Sequence, residues 1–356
     1  MKSPIVALLA ASALALLPFP ERKSVVDVEV LATGLTVPWS IAVGPGFRVF
    51  FTERPGRIRV ITSGKLLDSY WASIPVLDGN TRNIETGLMG LALDPDFERN
   101  PYVYVCYTFA NGAEPLMNRV ARLRESGGHG VGLQVLVDSI PAGPDRNGCP
   151  LKFGPDGKLY IGTGDAHDDA NAQDAYSLAG KILRVNADGT IPDDNPDASS
   201  RIWATGLRNP QALAFEPGTG RLVLLEHGSG DVDEVNIIRR GGNYGWPVIR
   251  GAGLDRRFIE PVLVFHAAPA GATFLSGRVG VRGLVVATLS GMRRMRFHVD
   301  SASARIVEDT VLSGYGRLRD VVEAPDGSLL VATSNRDRRG QPTVDDDRIL
   351  RVRFPR

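Results

Sequence analysis

One recurring phrase limits what this chain can fold into. Leu151 to Asp165 reads LKFGPDGKLYIGTGD, two short apolar-alternating runs joined by Gly154-Pro155-Asp156-Gly157. Proline fixes φ near the turn value and glycine supplies φ > 0, so such a run is a hairpin signal. The pattern returns at Ile41 to Thr52 (IAVGPGFRVFFT), Leu91 to Thr108 (LALDPDFERNPYVYVCYT), Leu213 to Glu226 (LAFEPGTGRLVLLE) and Val321 to Thr333 (VVEAPDGSLLVAT). The turn prolines Pro45, Pro95, Pro155, Pro217 and Pro325 stand 50, 60, 62 and 108 residues apart. The last interval is about twice the others and hides one more unit. Gly271 to Leu275 followed by Gly283 to Leu289 supplies it without the proline.

Six such units of antiparallel hairpins predict an all-β fold, a six-bladed β-propeller with one four-stranded sheet per blade. Arg57 to Thr62, Arg119 to Arg124, Lys181 to Asn186, Glu234 to Ile238 and Ile349 to Phe354 read as further strands. The last blade lacks one strand, and Val26 to Leu31 (VDVEVL) is the candidate to close the ring, since closure removes exposed edges. The propeller then takes residues 23–356 as one domain. Its 40 glycines and 24 prolines fit turn-rich β structure, because apolar alternation persists between them.

Lys and Arg total 41 against 40 Asp and Glu. Nucleic-acid and polybasic membrane roles need a basic excess that is absent here. Lys2 precedes an apolar run from Ile5 to Leu17, too short for a comfortable membrane span. Residues 1–22 read as a signal peptide or as an uncleaved N-terminal anchor, and either places the folded part in a secreted or periplasmic, oxidising setting. Cys106 ends the second strand of one blade and Cys149 begins the first strand of the next. They are either bridged between adjacent blades or two separate buried thiols; compartment and even count favour the bridge.

The starts of the first strands carry Asp145-Arg146-Asn147, Arg208-Asn209-Pro210-Gln211 and Gly316-Arg317-Leu318-Arg319-Asp320. Residues two apart in an extended segment share a face, so Arg317 and Arg319 point together. Three arginines aimed at one cavity suit a polyanion, because the guanidinium fork pairs with carboxylates. Glu226-His227-Gly228-Ser229, Asp231, Asp233-Glu234 and Gly242 to Trp246 form a second constellation. Its carboxylates and glycine-freed carbonyls suit a hard cation such as calcium, or else are solvated loops.

The same stretches resemble a known family. GLMGLALDPDF (Gly87 to Phe97), FGPDGKLYIGTGDA (Phe153 to Ala166), AQDAYSLAGKILRVNADG (Ala172 to Gly189), GLRNPQALAF (Gly206 to Phe215), EHGSGDVDEVNII with GGNYGWP, APAGATF (Ala268 to Phe274) and GRLRDVVEAPDG (Gly316 to Gly327) follow in order the soluble pyrroloquinoline quinone (PQQ) dependent sugar dehydrogenases. These are six-bladed propellers of the glucose/sorbosone and aldose sugar dehydrogenase group. The resemblance implies PQQ and calcium as cofactors, a sugar or related alcohol as substrate and an external electron acceptor. It places Arg208, Asn209, Arg317 and Arg319 around PQQ, and Glu85 near cofactor and sugar. It assigns the carbonyls of Gly228 and Ser229 to the calcium that polarises the quinone, and Glu234 and Tyr244 to a structural calcium. Ser229 replaces the usual proline.

The departures concern catalysis. The family's base is a histidine in a pattern like H-x-G-G-R ahead of FGPDG; here that position holds Arg146, and the later arginine is Pro150. An arginine stays protonated and is no general base. Ser290 stands where some members have a lysine, and Ala270 where a serine or threonine is usual. Asp145, His167 and His227 remain as proton acceptors near this face, while His129, His266 and His298 have no supporting context. A propeller that has lost catalysis and binds a sugar, ligand or protein is the alternative reading.

Overall fold

The computed structural model describes residues 26–77, 85–109, 115–230, 232–253, 255–278, 282–295 and 309–354. The N-terminal leader or anchor, Asp231 and His298 lie outside these residues. The described chain forms six antiparallel sheets of four or five strands in a β-propeller arrangement. Two short 3₁₀ turns, Pro45–Phe47 and Asp169–Ala172, are its helical segments.

The first strands are Pro38–Gly44, Leu88–Leu93, Gly148–Phe153, Pro210–Phe215, Pro269–Ser276 and Leu318–Glu323. Each packs against the first strand of the next sheet, and Leu318–Glu323 packs against Pro38–Gly44. The hairpin turns form as their residues dictate. The Gly154 N–H donates to the Lys158 carbonyl and the Gly157 N–H to the Gly154 carbonyl, with Gly157 at φ +71. Ala324 and Gly327 repeat both bonds with Ser328 and Ala324. In both turns the aspartate after proline accepts from a backbone N–H two residues on, Asp156 from Lys158 and Asp326 from Ser328.

The core lies between sheets rather than within one. Tyr104, Cys106 and Val120 of one sheet pack with Leu151, Ile161 and Leu183 of the next. Second strands such as Leu159–Thr163, Leu222–Glu226 and Leu329–Thr333 are buried along their whole length. Each fully buried leucine or isoleucine there contributes about 1.5–3 kcal/mol of transfer free energy. Cys106 and Cys149 are joined by a disulfide, with their Cα atoms 5.9 Å apart.

Asp27–Ala32 pairs antiparallel with Ile349–Arg353, Val30 standing opposite Leu350, so both ends of the described chain share one sheet. The outermost strands are less legible than the others. His129–Pro141 is exposed over much of its length, and Lys65–Leu66 is two residues long. In His129–Pro141 the alternating Val131, Leu133 and Val135 face outward rather than into the core, and Lys65–Leu66 is too short to show a pattern.

One irregularity recurs in all six sheets. The ladder between first and second strand shifts register near the start of the first strand, at Pro38/Ile41, Leu88/Leu91, Gly148/Leu151, Pro210/Ala212, Pro269/Gly271 and Leu318/Asp320. A bulge adds an unpaired residue and re-aims its side chain. The residues so freed include Gln211, Ala270 and Arg319.

Candidate active site

The loops that enter the first strands meet around Glu85, a buried carboxylate. Its Oε2 accepts from the Arg146 N–H at 2.9 Å and from Asn209 Nδ2 at 3.3 Å. Its carbonyl accepts from Asn147 Nδ2 at 2.6 Å. The Arg208 N–H donates to Glu226 Oε2 at 2.8 Å, and Gln211 Nε2 to Asn209 Oδ1 at 3.0 Å. One glutamate therefore holds the 145–147 loop against the Arg208-Asn209 loop, which a second glutamate shapes.

Arg319, freed by its bulge, is buried beside Asp337 at 3.3 Å and lies 4.1 Å from the Trp39 ring centroid. Burial pushes its pKa down to about 10, against Asp337 and Glu85. Its Nε and Nη1 make no hydrogen bond in the structure, nor does Arg208 Nε. Burying a guanidinium with idle N–H groups is costly, and an anion would offset that cost. Arg317, just ahead of the strand, is engaged differently: its Nε donates to Asp337 at 2.9 Å, so the two arginines share one carboxylate. His227 links the clusters. Its carbonyl accepts from Arg208 Nη1 at 2.9 Å, and its buried ring lies within electrostatic reach of Glu85 and Arg319. Burial pushes that imidazole down, towards its neutral form.

Arg146 is held as a cation. Its Nη1 lies 3.1 Å from Asp165 and 2.8 Å from Asp169. Asp165 is buried and also accepts from Trp246 Nε1 at 2.9 Å. The approach behind this pair is close. A Cβ on Gly164 would stand 1.8 Å from the Arg146 carbonyl, which only glycine permits. Asp145, next in the chain, meets His167: its Oδ1 is 2.6 Å from His167 Nδ1.

Gly228, Ser229, Glu234 and Tyr244 line one small pocket with Arg208, Glu226 and Trp246. Glu226 and Glu234 face each other across adjacent strands. Burial raises both pKa values, and for Glu226 the charge of Glu234 raises it further. Asn236 Nδ2 donates to both, at 3.0 and 3.2 Å. The Tyr244 hydroxyl is spent on backbone, donating to the Ile237 carbonyl and accepting from the Arg239 N–H. Among the described residues no group of three or more His, Cys, Asp or Glu is placed to hold a metal ion. A cation here would rest on two carboxylates and on backbone carbonyls.

A cavity of about 750 Å³ runs along the first strands from Trp39 and Gln211 to the turns at Pro95, Pro155 and Pro217. Lys152 and Asp320 face it. It lies at the other end of the strands from the arginines, and Trp39 stands between it and Arg319.

Sequence reasoning does not single out Asp337, Asp169 or Trp39. Asp337 sits in the loop SNRDRRG, where no spacing relates it to Arg317 and Arg319. Asp165 is visible only as part of the FGPDGKLYIGTGDA stretch.

The profile of the glucose/sorbosone dehydrogenases matches residues 35–342. The chain belongs to this family. Among its relatives, the aldose sugar dehydrogenase YliI of Escherichia coli K12 is 30% identical over 340 residues, covering 86% of this chain and 90% of that one. The crystal structure of a glucose-dehydrogenase-type oxidoreductase of Thermus thermophilus superposes with a TM-score of 0.84 at 42% identity, covering 92% of this chain and 99% of that one. The PQQ-bound aldose sugar dehydrogenase of Streptomyces coelicolor gives 0.81 at 33%, over 93% and 99%. In this member of the glucose/sorbosone dehydrogenases, the recurrent hairpins, the arginine loops and the EHGSGDVDEVNII segment all fall inside the matched region.

Proposed function

We propose that the protein is a PQQ- and calcium-dependent oxidoreductase that oxidises an aldose sugar or related alcohol and passes the electrons to an external acceptor. The observation that carries this reading is Arg319, a buried guanidinium with two idle N–H-bearing nitrogens. Arg208, with one more, and Asn209 stand across Glu85 and His227. PQQ bears three carboxylates, and this donor set suits a polycarboxylate better than a neutral ligand. Bound there, PQQ supplies a two-electron acceptor. The chain's own residues do the rest: Arg208, Arg319 and Asn209 bind and orient it, Arg317 holds Asp337 in place, and Trp39 closes the channel below Arg319. The carbonyls of Gly228 and Ser229 would hold calcium in the one small pocket they share with Glu226, Glu234 and Tyr244, where a divalent charge would let both raised carboxylates ionise together.

In this reading the six sheets are six blades of one ring, sealed by Asp27–Ala32, and the segment before it is an export signal or anchor. N-terminal sequencing of protein from the periplasm or medium tests the export.

The salt bridges of Arg146 to Asp165 and Asp169 favour a second reading, a ligand-binding propeller without turnover. Loading the purified protein with PQQ and calcium, then titrating aldoses with a reducible dye, separates the two. The dehydrogenase reading expects tight PQQ binding with saturable, calcium-dependent dye reduction. PQQ binding without turnover for any aldose supports the ligand carrier, and absence of PQQ binding sinks both.

A further inference from the structure

His167 and Asp145 form a hydrogen-bonded pair beside the arginine site, at 2.6 Å, on two different loops. Neither loop is free to drift. The Asp165 N–H donates to the Arg208 carbonyl at 2.8 Å, and the Ala166 N–H to the Arg146 carbonyl at 3.2 Å. The His167 N–H donates to Asp165 Oδ1 at 2.9 Å, and Asp168 then caps the turn Asp169–Ala172 by accepting from Ala170. Asp145 lies within electrostatic reach of Arg208, which puts the pair on the cofactor side of the molecule. The His167 side chain is 52% exposed, so its outer nitrogen is open to a ligand while its inner one is held. The charged groups around it are Asp145, Arg146, Asp165, Asp168, Asp169 and Arg208. Arg146, at the position of the family's base, is fixed on Asp165 and Asp169 and offers no lone pair.

We propose that His167 is the proton acceptor of this enzyme, oriented by Asp145, and that it replaces the base lost at position 146. Asp145 accepts the Nδ1 proton and thereby fixes the tautomer whose Nε2 lone pair faces outward. The substrate hydroxyl gives its proton to Nε2 while its carbon gives hydride to the o-quinone. An aldose is thereby oxidised to its lactone. The imidazolium proton, released through solvent, completes reduction of the quinone to the quinol. This inference rests on the PQQ-dependent reading.

Two measurements test it. Imidazole nitrogen NMR of the cofactor-free protein, with the His167 signals assigned by their loss in His167→Gln, reports the tautomer; the chain has five histidines. The expected result is an Nδ1-protonated neutral ring whose tautomer balance changes in Asp145→Asn. An Nε2-protonated ring unaffected by Asp145→Asn overturns the pairing. In the PQQ- and calcium-loaded protein, His167→Gln is expected to lower kcat about 100-fold or more with PQQ affinity kept. Asp145→Asn gives a smaller loss in kcat. A His167→Gln protein that binds PQQ and keeps wild-type kcat overturns the proposal alone. Failure of the wild type to bind PQQ overturns the functional reading and this one with it.

Discussion

At the scale of single residues, Arg319 sets binding against stability. Its guanidinium is buried, half satisfied by Asp337 and stacked on Trp39, and its desolvation is not recovered within the protein. Replacing it with methionine keeps the stem, and Arg317 still pairs with Asp337. We expect Arg319→Met to leave the cofactor-free protein as stable as wild type or more stable by about 1–2 kcal/mol, as when other buried ion pairs are replaced by apolar groups. Removing one partner of a buried charged contact costs about 2–5 kcal/mol, so PQQ affinity should fall at least 30-fold. Urea unfolding without cofactor and a PQQ titration check the two halves. Arg319 and Arg208 were legible in the sequence because charged residues ahead of buried strands are conspicuous. Their partners were not. Asp337 is one acidic residue in a loop, and only folding brings it to Arg317 and Arg319. The same holds for His167, whose partner Asp145 is distant in sequence.

Among elements, the first strands carry the information, and each begins with a bulge. Turn chemistry made the hairpins readable: Pro155-Asp156-Gly157 and Pro325-Asp326-Gly327 specify the same turn because aspartate accepts two residues on and glycine takes positive φ. The bulges left no such trace, since an inserted residue looks like any other position in an alternating run. Past its bulge, the strand Leu318–Glu323 turns Asp320 towards the cavity. Asp320 accepts from the Ile41 and Val321 N–H groups, yet burial raises its pKa from 3.8 to about 6, only partly opposed by those bonds and by Lys152. A carboxyl whose pKa is higher folded than unfolded favours the fold below its unfolded value and loses that contribution as pH rises through its folded value. A shift of about two units corresponds to roughly 3 kcal/mol. Asp320→Asn should therefore gain stability relative to wild type by up to that amount between pH 4 and pH 7, with most of the change below about pH 6. Paired urea titrations across that range measure it, and a constant difference would refute the assignment.

For the whole molecule, the buried side chains of one sheet pack on those of the next. The sequence disclosed the repeat because each unit buries the same alternating positions. It left open whether Cys106 and Cys149 are joined, since that depends on the distance between neighbouring sheets. The bond spans 43 residues, and by chain entropy a loop of that length is worth about 4 kcal/mol against the unfolded state. Cys106→Ala with Cys149→Ala is expected to lose about 3–4 kcal/mol in urea unfolding, and wild type with reductant should approach that value. An unchanged midpoint in both would show that interleaved side chains alone hold the two sheets together.

The sheet shared by Asp27–Ala32 and Ile349–Arg353 bears on how the molecule is made. Its outermost strand leaves the ribosome early and waits for a partner more than three hundred residues later. While synthesis continues, Leu318–Glu323 and Pro38–Gly44 cannot meet, and the apolar flanks between them stay wet. Whatever folds early is an unfinished object with two sticky margins, open to a chaperone. Only when Ile349–Arg353 arrives can Asp27–Ala32 find its partner in that sheet.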